Sequence, residues 1–245
     1  MSQAKHSTLL INLDRSSDRL QRCAKLLNEL NVDYTRISAV DGQVLTSDKL
    51  KSVKAPLFSG YYKELTQGEI GCYLSHVKCW QHIVEQKLDY AVILEDDFSL
   101  HDDLNNVHGY IEAIEVNWDC IKLMEHPEKR KAIKTIPCLD KTLIRYDKIP
   151  SRTCAYVITN DGAQKMLKHS QQISRPIDID FQHWWESNII VYGLKPYIVG
   201  VNHADTSTID SQNNRKKIRK SFVKQYLQMV SFNINNKKNL QRLED

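Results

Sequence analysis

Long apolar runs are missing from this chain of 245 residues. No stretch approaches the roughly 20 apolar residues that a membrane-spanning helix needs. The N-terminus enters a strand-like segment at Thr8 without the charged and apolar regions of a signal peptide. A cytosolic chain is expected on both counts. The six cysteines, Cys23, Cys72, Cys79, Cys120, Cys138 and Cys154, contain no CxxC pair and fall mostly in apolar segments. That argues against a zinc site or a disulfide framework and predicts small buried thiols. Internal repeats and low-complexity segments are absent. RNP, zinc-finger and helix-turn-helix signatures are absent too, so a basic segment has no company that would make it point to nucleic acid. The net charge is only +4, and nucleic acid is not an expected partner.

What is present is ample core-forming material. With 41% hydrophobic residues, the chain supports one large domain, expected over residues 1–211, followed by a basic amphipathic tail over 212–245. Thr8 to Leu13 is apolar and β-prone. Ser16, Ser17 and Asp18 then offer N-capping side chains, and Leu20, Cys23, Ala24, Leu27 and Leu30 follow at helical spacing. A second strand from Tyr34 to Val40 ends at Asp41-Gly42, a turn pair, so the opening reads as a βαβ unit. Thr66 and Glu69 have capping-box spacing ahead of the helical face Ile70, Leu74, Val77, Trp80 and Val84. Tyr90 to Leu94 is short and wholly apolar, as a buried central strand would be. Further strands are predicted at Cys120–Met124, Leu143–Tyr146, Cys154–Thr159 and Tyr197–Val201, with Asn160 capping a helix to His169. Alternating elements early and mixed strands late predict an α/β fold with a mixed sheet.

Glu95-Asp96-Asp97 follows the central strand directly. Ligands of open α/β sheets gather outside the carboxyl ends of strands, and hard oxygen ligands suit Mg²⁺ or Mn²⁺ holding a diphosphate. A solvated loop would also attract acids to this place.

Three stretches together resemble glycosyltransferase family 25, which includes lipopolysaccharide and collagen galactosyltransferases. They are Ile11-Asn12-Leu13-Asp14-Arg15 with Asp18-Arg19, Leu65 to His76, and Val92 to Asp97. The likeness runs from about residue 8 to about residue 209. It implies a GT-A-type nucleotide-sugar-binding fold in which the acidic motif binds metal (Mn²⁺ or Mg²⁺) and ribose. By that resemblance Asp97 coordinates the metal, while Glu95 and Asp96 lie on the donor side. Asn12 and Arg15 match donor-binding positions in placement, and Asp41 is placed to face uracil or ribose. Arg15 could instead pair with a carboxylate, and Asp41 could simply make its turn. Ser75 and His76 are expected to face the donor, with a hydrogen-bonded structural role as the alternative. Glu69 could do no more than close its capping box.

Asp178 and Asp180, two residues apart after Pro176, are the candidates for the base that deprotonates an acceptor hydroxyl. Asp178 matches the family's proline-apolar-aspartate pattern, and Asp180 is expected to cap a helix beginning near Phe181. The resemblance offers His203 as a further metal ligand and Ser207-Thr208-Ile209 as a phosphate contact. The implied activity is metal-dependent, inverting transfer of galactose from UDP-galactose to a lipopolysaccharide or lipooligosaccharide acceptor, in β-1,4 linkage. Another UDP-sugar such as UDP-glucose or UDP-GlcNAc, or a non-catalytic nucleotide-sugar-binding role, is the alternative. In the tail, Ile218, Phe222, Tyr226 and Met229 or Val230 share a helical face amid Arg215, Lys216, Arg219, Lys220 and Lys224. That pattern suits a helix on an anionic bilayer, at the inner face of the cytoplasmic membrane, or a stripe packed onto the domain.

Overall fold

The computed structural model describes residues 4–53, 61–202 and 221–242. Its first half contains β1 (His6–Asn12), α1 (Ser17–Glu29), β2 (Tyr34–Ser38), α2 (Ser47–Val53), α3 (Gln67–Glu85), β3 (Tyr90–Glu95), β4 (Phe98–Leu100) and α4 (Asn106–Glu112). Then come β5 (Cys120–Lys122), β6 (Ala132–Cys138), β7 (Lys141–Tyr146), β8 (Ala155–Thr159) and α5 (Asn160–His169). The chain continues through α6 (Ile177–Gln182), α7 (Trp184–Ser187), β9 (Val191–Lys195), β10 (Val199–Val201) and α8 (Phe222–Gln241).

Eight strands form one sheet in the order β2-β1-β3-β8-β5-β9-β7-β6, and β10 pairs with β4 in a separate ribbon. β1 runs parallel to β2 and β3, whereas β8 is antiparallel to both β3 and β5. The expected α/β class with a mixed central sheet is therefore borne out. β3 is central because its apolar run has no polar face to offer water: Tyr90 to Leu94 are all buried. Strand side chains alternate between faces. Leu9, Ile11 and Ile93 accordingly join Ile70, Tyr73, Trp80 and Phe181 in one core layer. Leu10, Val92 and Leu94 join Cys23, Leu27 and Val157 in the other. Each such fully buried aliphatic side chain contributes about 1.5–3 kcal/mol.

The order β2-β1-β3 has a functional consequence. The chain goes from β1 to the neighbour on one side and then crosses to the other, which opens a crevice at the carboxyl ends of these strands. Helix α3 packs against that crevice. Its capping box is complete: Thr66 Oγ1 accepts from the Glu69 N–H at 3.1 Å, and Glu69 Oε2 accepts from the Thr66 N–H at 2.9 Å. Glycine is required where the turn after β2 meets this helix, since a Cβ on Gly42 would collide with the Gln67 carbonyl and one on Gly71 with the Val40 carbonyl.

Several local expectations need correction. Thr159 caps α5 by accepting from the Gly162 N–H at 3.0 Å, while Asn160 donates to the Ile83 and Leu88 carbonyls instead. Asp180 does not cap a helix at Phe181: α6 already begins at Ile177, and Asp180 lies inside it. Strands β4, β6 and β9 have no counterpart in the sequence reading. The cysteines are free thiols, and all but Cys72 are buried. In the tail, α8 docks through its middle, where Trp184 Nε1 donates to Asn236 Oδ1 at 3.1 Å and Asn236 donates to the Asp147 carbonyl at 2.7 Å. Phe222, Tyr226 and Met229 are not on that docking face and stay exposed. Ile218 and the basic run before Lys224 lie outside the described residues. Among the described residues no helix is long and apolar enough to cross a membrane.

Candidate functional site

The crevice is a cleft of about 110 Å³, lined by the ends of β1, β2 and β3 and by α3. Asn12, Arg15, Asp41, Ser75, His76, Glu95, Asp96 and Asp97 all line it. Residues spread over more than eighty sequence positions thus converge. Their individual tasks are unequal.

Asp96 faces the first βα unit. Its Oδ2 accepts from Asn12 Nδ2 at 2.7 Å and its Oδ1 from Arg19 Nη1 at 2.9 Å, while its carbonyl accepts from Arg22. Burial pushes the Asp96 carboxyl up, against the opposing pull of Asn12 and Arg19. With both oxygens engaged, Asp96 braces β1 and α1 against the acidic turn.

Glu95 is held from two sides. Its Oε1 lies 3.1 Å from His76 Nε2 and accepts from Thr153 Oγ1 at 2.5 Å. Burial pushes its carboxyl up, but the His76 contact, the Thr153 hydroxyl and the Lys122 charge outweigh burial and hold it below the usual value. His76 is fully buried, and its other ring nitrogen, Nδ1, is 2.9 Å from the Tyr156 hydroxyl. That hydroxyl also accepts from Trp80 Nε1 at 3.1 Å. Both nitrogens of His76 are thereby used, so the cluster of Cys72, His76 and Glu95, whose ligand atoms lie within 4.8 Å of one another, leaves no histidine lone pair for a metal.

Asp97 is different. The Cys154 thiol hydrogen-bonds its carboxylate, yet Oδ1 is buried without a hydrogen-bond partner. Burial, with the Glu95 charge beside it, pushes the Asp97 carboxyl up to about 6. A buried carboxylate oxygen left unpaired is costly unless a cation or donor meets it. Two hard carboxylates, one carrying an unsatisfied oxygen, fit a divalent cation of the Mg²⁺ or Mn²⁺ type.

At the mouth of the cleft Arg15 and Asp41 form an ion pair, and Asp41 Oδ1 also accepts from the Gln43 N–H at 3.0 Å. Both residues line the cleft while making the local contacts that the sequence left as alternatives. Ser75 Oγ accepts from the Val40 N–H at 2.8 Å and donates to the Gly71 carbonyl at 2.7 Å. It clasps α3 to the end of β2.

The two candidate bases separate clearly. Asp180 is buried, accepts from the Tyr73 hydroxyl at 2.5 Å, and meets His169 Nε2 at 3.1 Å and Arg175 Nε at 3.6 Å. Its surroundings leave it no access to a substrate. Asp178 is half-buried in the first turn of α6, where its Oδ1 accepts from the Ile179 N–H at 2.9 Å. Burial pushes its carboxyl up, opposed by the Ile179 and Arg152 backbone N–H groups and by Lys122. It is not part of the cleft wall. His203 and Ser207-Thr208-Ile209 lie outside the described residues.

Three contributors escaped the sequence reading. Lys122 is fully buried in β5, and burial lowers its basicity. Its Nζ donates to the Arg152 carbonyl and sits 5.8 Å from the Tyr156 ring and 5.6 Å from the Phe181 ring. Thr153 and Tyr156 complete the support of Glu95 and His76. A lone lysine in the apolar run Cys120-Ile121-Lys122-Leu123-Met124 is a readable signal, because a buried cation needs a reason.

The human protein named inactive glycosyltransferase 25 family member 3 is 28% identical over 221 residues, covering 79% of this chain and 36% of its own length. Human procollagen galactosyltransferase 2 is 30% identical over 171 residues, covering 64% of this chain and 26% of its own. The zebrafish (Danio rerio) procollagen galactosyltransferase 1 is 30% identical over 184 residues, covering 70% and 30%. The chain thus spans about a third of the length of the curated relatives it matches. A solved glycosyltransferase involved in glycosylation of the major capsid of PBCV-1 is 11% identical at a TM-score of 0.36, over 67% of this chain and 63% of its own, a likeness too low to carry an argument. The family profile described as glycosyltransferase family 25 (LPS biosynthesis protein) matches residues 5–181, from β1 through the candidate base. The chain belongs to glycosyltransferase family 25.

Proposed function

We propose that this protein is an inverting glycosyltransferase that moves galactose from UDP-galactose to a lipopolysaccharide or lipooligosaccharide acceptor, in β-1,4 linkage, with Mn²⁺ or Mg²⁺ bound at Asp97. The observation that carries it is the unpartnered buried Oδ1 of Asp97 beside Glu95, at the strand ends of a cleft whose other walls come from β1, β2 and α3. The cation, when bound, supplies charge neutralisation for the departing diphosphate. The chain supplies positioning. Glu95 is fixed toward the ribose by His76 and Thr153, and Asn12 is fixed by Asp96. Arg15 and Asp41 are already paired, so donor entry at the mouth trades their contact for contacts to uracil or ribose.

In the transfer step the acceptor hydroxyl oxygen attacks the anomeric carbon, the sugar–phosphate bond breaks, and UDP departs with the bonding electrons. Asp178 takes the hydroxyl proton. Its burial strengthens it as a base, since the ionised form is poorly solvated. Asp180 serves the fold instead.

The relatives named procollagen galactosyltransferases support galactose as the transferred sugar and bring a procollagen-type acceptor into the comparison. The relative named inactive makes it necessary to measure binding and turnover separately. Purified protein with Mn²⁺ should be given UDP-galactose, UDP-glucose and UDP-GlcNAc in turn, with truncated lipooligosaccharide or a procollagen peptide. Product mass and NMR linkage read the result. A β-galactosylated oligosaccharide supports the proposal, and UDP-galactose binding without any product supports a non-catalytic nucleotide-sugar-binding role.

Residues 1–211 form the transferase unit and 212–245 the appended tail in this proposal. The exposed Phe222, Val223, Tyr226 and Leu227 of α8, next in sequence to the basic run, suit peripheral contact with an anionic membrane that carries the acceptor.

A further inference from the structure

A second cavity, of about 350 Å³, lies between the α6–α7 segment and α8. That is within the roughly 300–1,000 Å³ of small-molecule sites. Five aromatic rings line it: Tyr61, Tyr62, His183, Trp185 and Phe232. The Tyr61 and Tyr62 rings are 4.7 Å apart, and those of Trp185 and Phe232 are 5.4 Å apart. Gln225, Ser231 and Asn235 also line the cavity, with Asn235 Nδ2 donating to Ser231 Oγ at 3.3 Å. Arg175 is also in the wall; its Nη2 donates to Glu186 at 2.8 Å, while its Nη1 is buried without a hydrogen-bond partner.

Flat rings interleaved with neutral donors and acceptors match a pyranose, whose C–H faces stack on aromatics while its hydroxyls take amides and guanidinium N–H groups. Other ligand classes fit less well. A phosphate would call for clustered spare cations, but Lys148 sits over the Phe232 ring at 4.5 Å, and Glu186, paired with Arg175 in the same wall, would repel an anion. An acyl chain would call for a wall without amides.

The cavity also adjoins the reaction centre. Ile179, which lines it, directly follows Asp178 on α6. Helix α8 holds the tyrosines in place: Gln228 Oε1 accepts from the Tyr62 N–H at 3.2 Å, and the Ser221 N–H donates to the Tyr62 carbonyl at 3.1 Å.

We infer that this cavity is the acceptor subsite, holding a pyranose unit of the acceptor glycan between Trp185, Phe232 and Tyr61 so that its hydroxyl is presented to Asp178. The assignment rests on the transfer reaction proposed above, and it gives α8 a task in acceptor recognition.

The test uses the full chain and the indole N–H signals of its four tryptophans. Core oligosaccharide released from lipooligosaccharide and methyl β-galactoside are titrated separately, and UDP is titrated as the donor-side control. The expected result is a shift of the Trp185 signal with a saccharide probe and none with UDP. Ser231 is exposed, so Ser231→Trp fills the cavity without disturbing the core. It should weaken saccharide binding at least tenfold and leave UDP binding unchanged. Silence at Trp185 with both saccharides, or undiminished binding in Ser231→Trp, overturns the assignment. A Trp185 response in a protein that does not bind UDP keeps the subsite and removes the transfer reaction.

Discussion

His76 Nε2 and Glu95 Oε1 meet at 3.1 Å, tying the buried face of α3 to the last residue of β3. The Glu95 carboxylate is therefore oriented by a side chain with no exposed surface of its own. His76→Ala removes that tie, leaving Glu95 with Thr153 alone and taking from the Tyr156 hydroxyl its imidazole partner while Trp80 Nε1 still donates to it. A stability loss of about 1–3 kcal/mol is expected for such a vacated buried hydrogen bond, together with weaker UDP-galactose binding. Urea unfolding and calorimetric titration measure the two. An unchanged donor affinity would remove His76 from the support of the site.

Asp178→Asn keeps the shape of the side chain and loses its basicity. It should bind UDP-galactose normally while turnover falls by roughly 10²–10⁴-fold. Asp180→Asn should do something else, because it removes the buried negative charge that His169 and Arg175 meet, although Arg175 keeps Glu186. Its cost is expected in stability, at about 3 kcal/mol or more for a broken buried pair. Turnover at saturating substrate, set against the urea midpoint of each variant, separates a base from a brace. A large kinetic defect confined to Asp180→Asn would reverse the assignment.

The His169–Asp180 contact also gives a pH dependence. The hydrogen bond to Asp180 raises the His169 imidazole above its ordinary value, although burial pulls the other way. A histidine raised in the folded state contributes stability that is fully present below its unfolded value near about 6.5. That contribution is lost as pH rises through the folded value. The wild-type urea midpoint should therefore fall above neutrality more steeply than that of His169→Gln. Parallel pH profiles for the two proteins would deny the contact an energetic role.

Helix α8 should show two separable roles. Phe232 and Asn236 are buried against the domain, whereas Phe222, Val223 and Tyr226 are exposed. Replacing the latter three with serine should leave the melting temperature within a few degrees of wild type, as expected for surface positions. The same variant should lose affinity for anionic vesicles at low salt, measured by co-sedimentation. Vesicle binding that survives the triple replacement would rule out α8 as the membrane contact.

The cleft is legible in the sequence where physical chemistry is local. The apolar run before Glu95 forces a buried strand, and the Thr66–Glu69 spacing forces a capped helix, and both are realised. The division of labour among the acids is not local. Asp96 and Asp97 are adjacent in sequence, yet one is saturated by Asn12 and Arg19 while the other keeps an unpaired oxygen. That outcome depends on α1, about eighty residues away. Strand β6 was unreadable because it sits at the sheet edge with mostly exposed side chains and Pro137, so it lacks an apolar alternation. β9 carries Gly193, which interrupts its pattern so that the Tyr146 ring can pack where a Cβ would be. Asn160 failed as a cap because Thr159, one residue earlier, already supplies the oxygen.

The most direct measurement is galactosyl transfer by wild-type protein and Asp97→Ala, compared at limiting Mn²⁺ with UDP-galactose and truncated lipooligosaccharide. Wild type should release UDP and give a β-galactosylated product by NMR. Asp97→Ala should retain the fold by circular dichroism but lose Mn²⁺-dependent donor binding and turnover. Near-normal transfer by Asp97→Ala, or Mn²⁺-dependent UDP-galactose binding unaffected by the change, would contradict the placement of the cation and with it the proposed chemistry of the cleft.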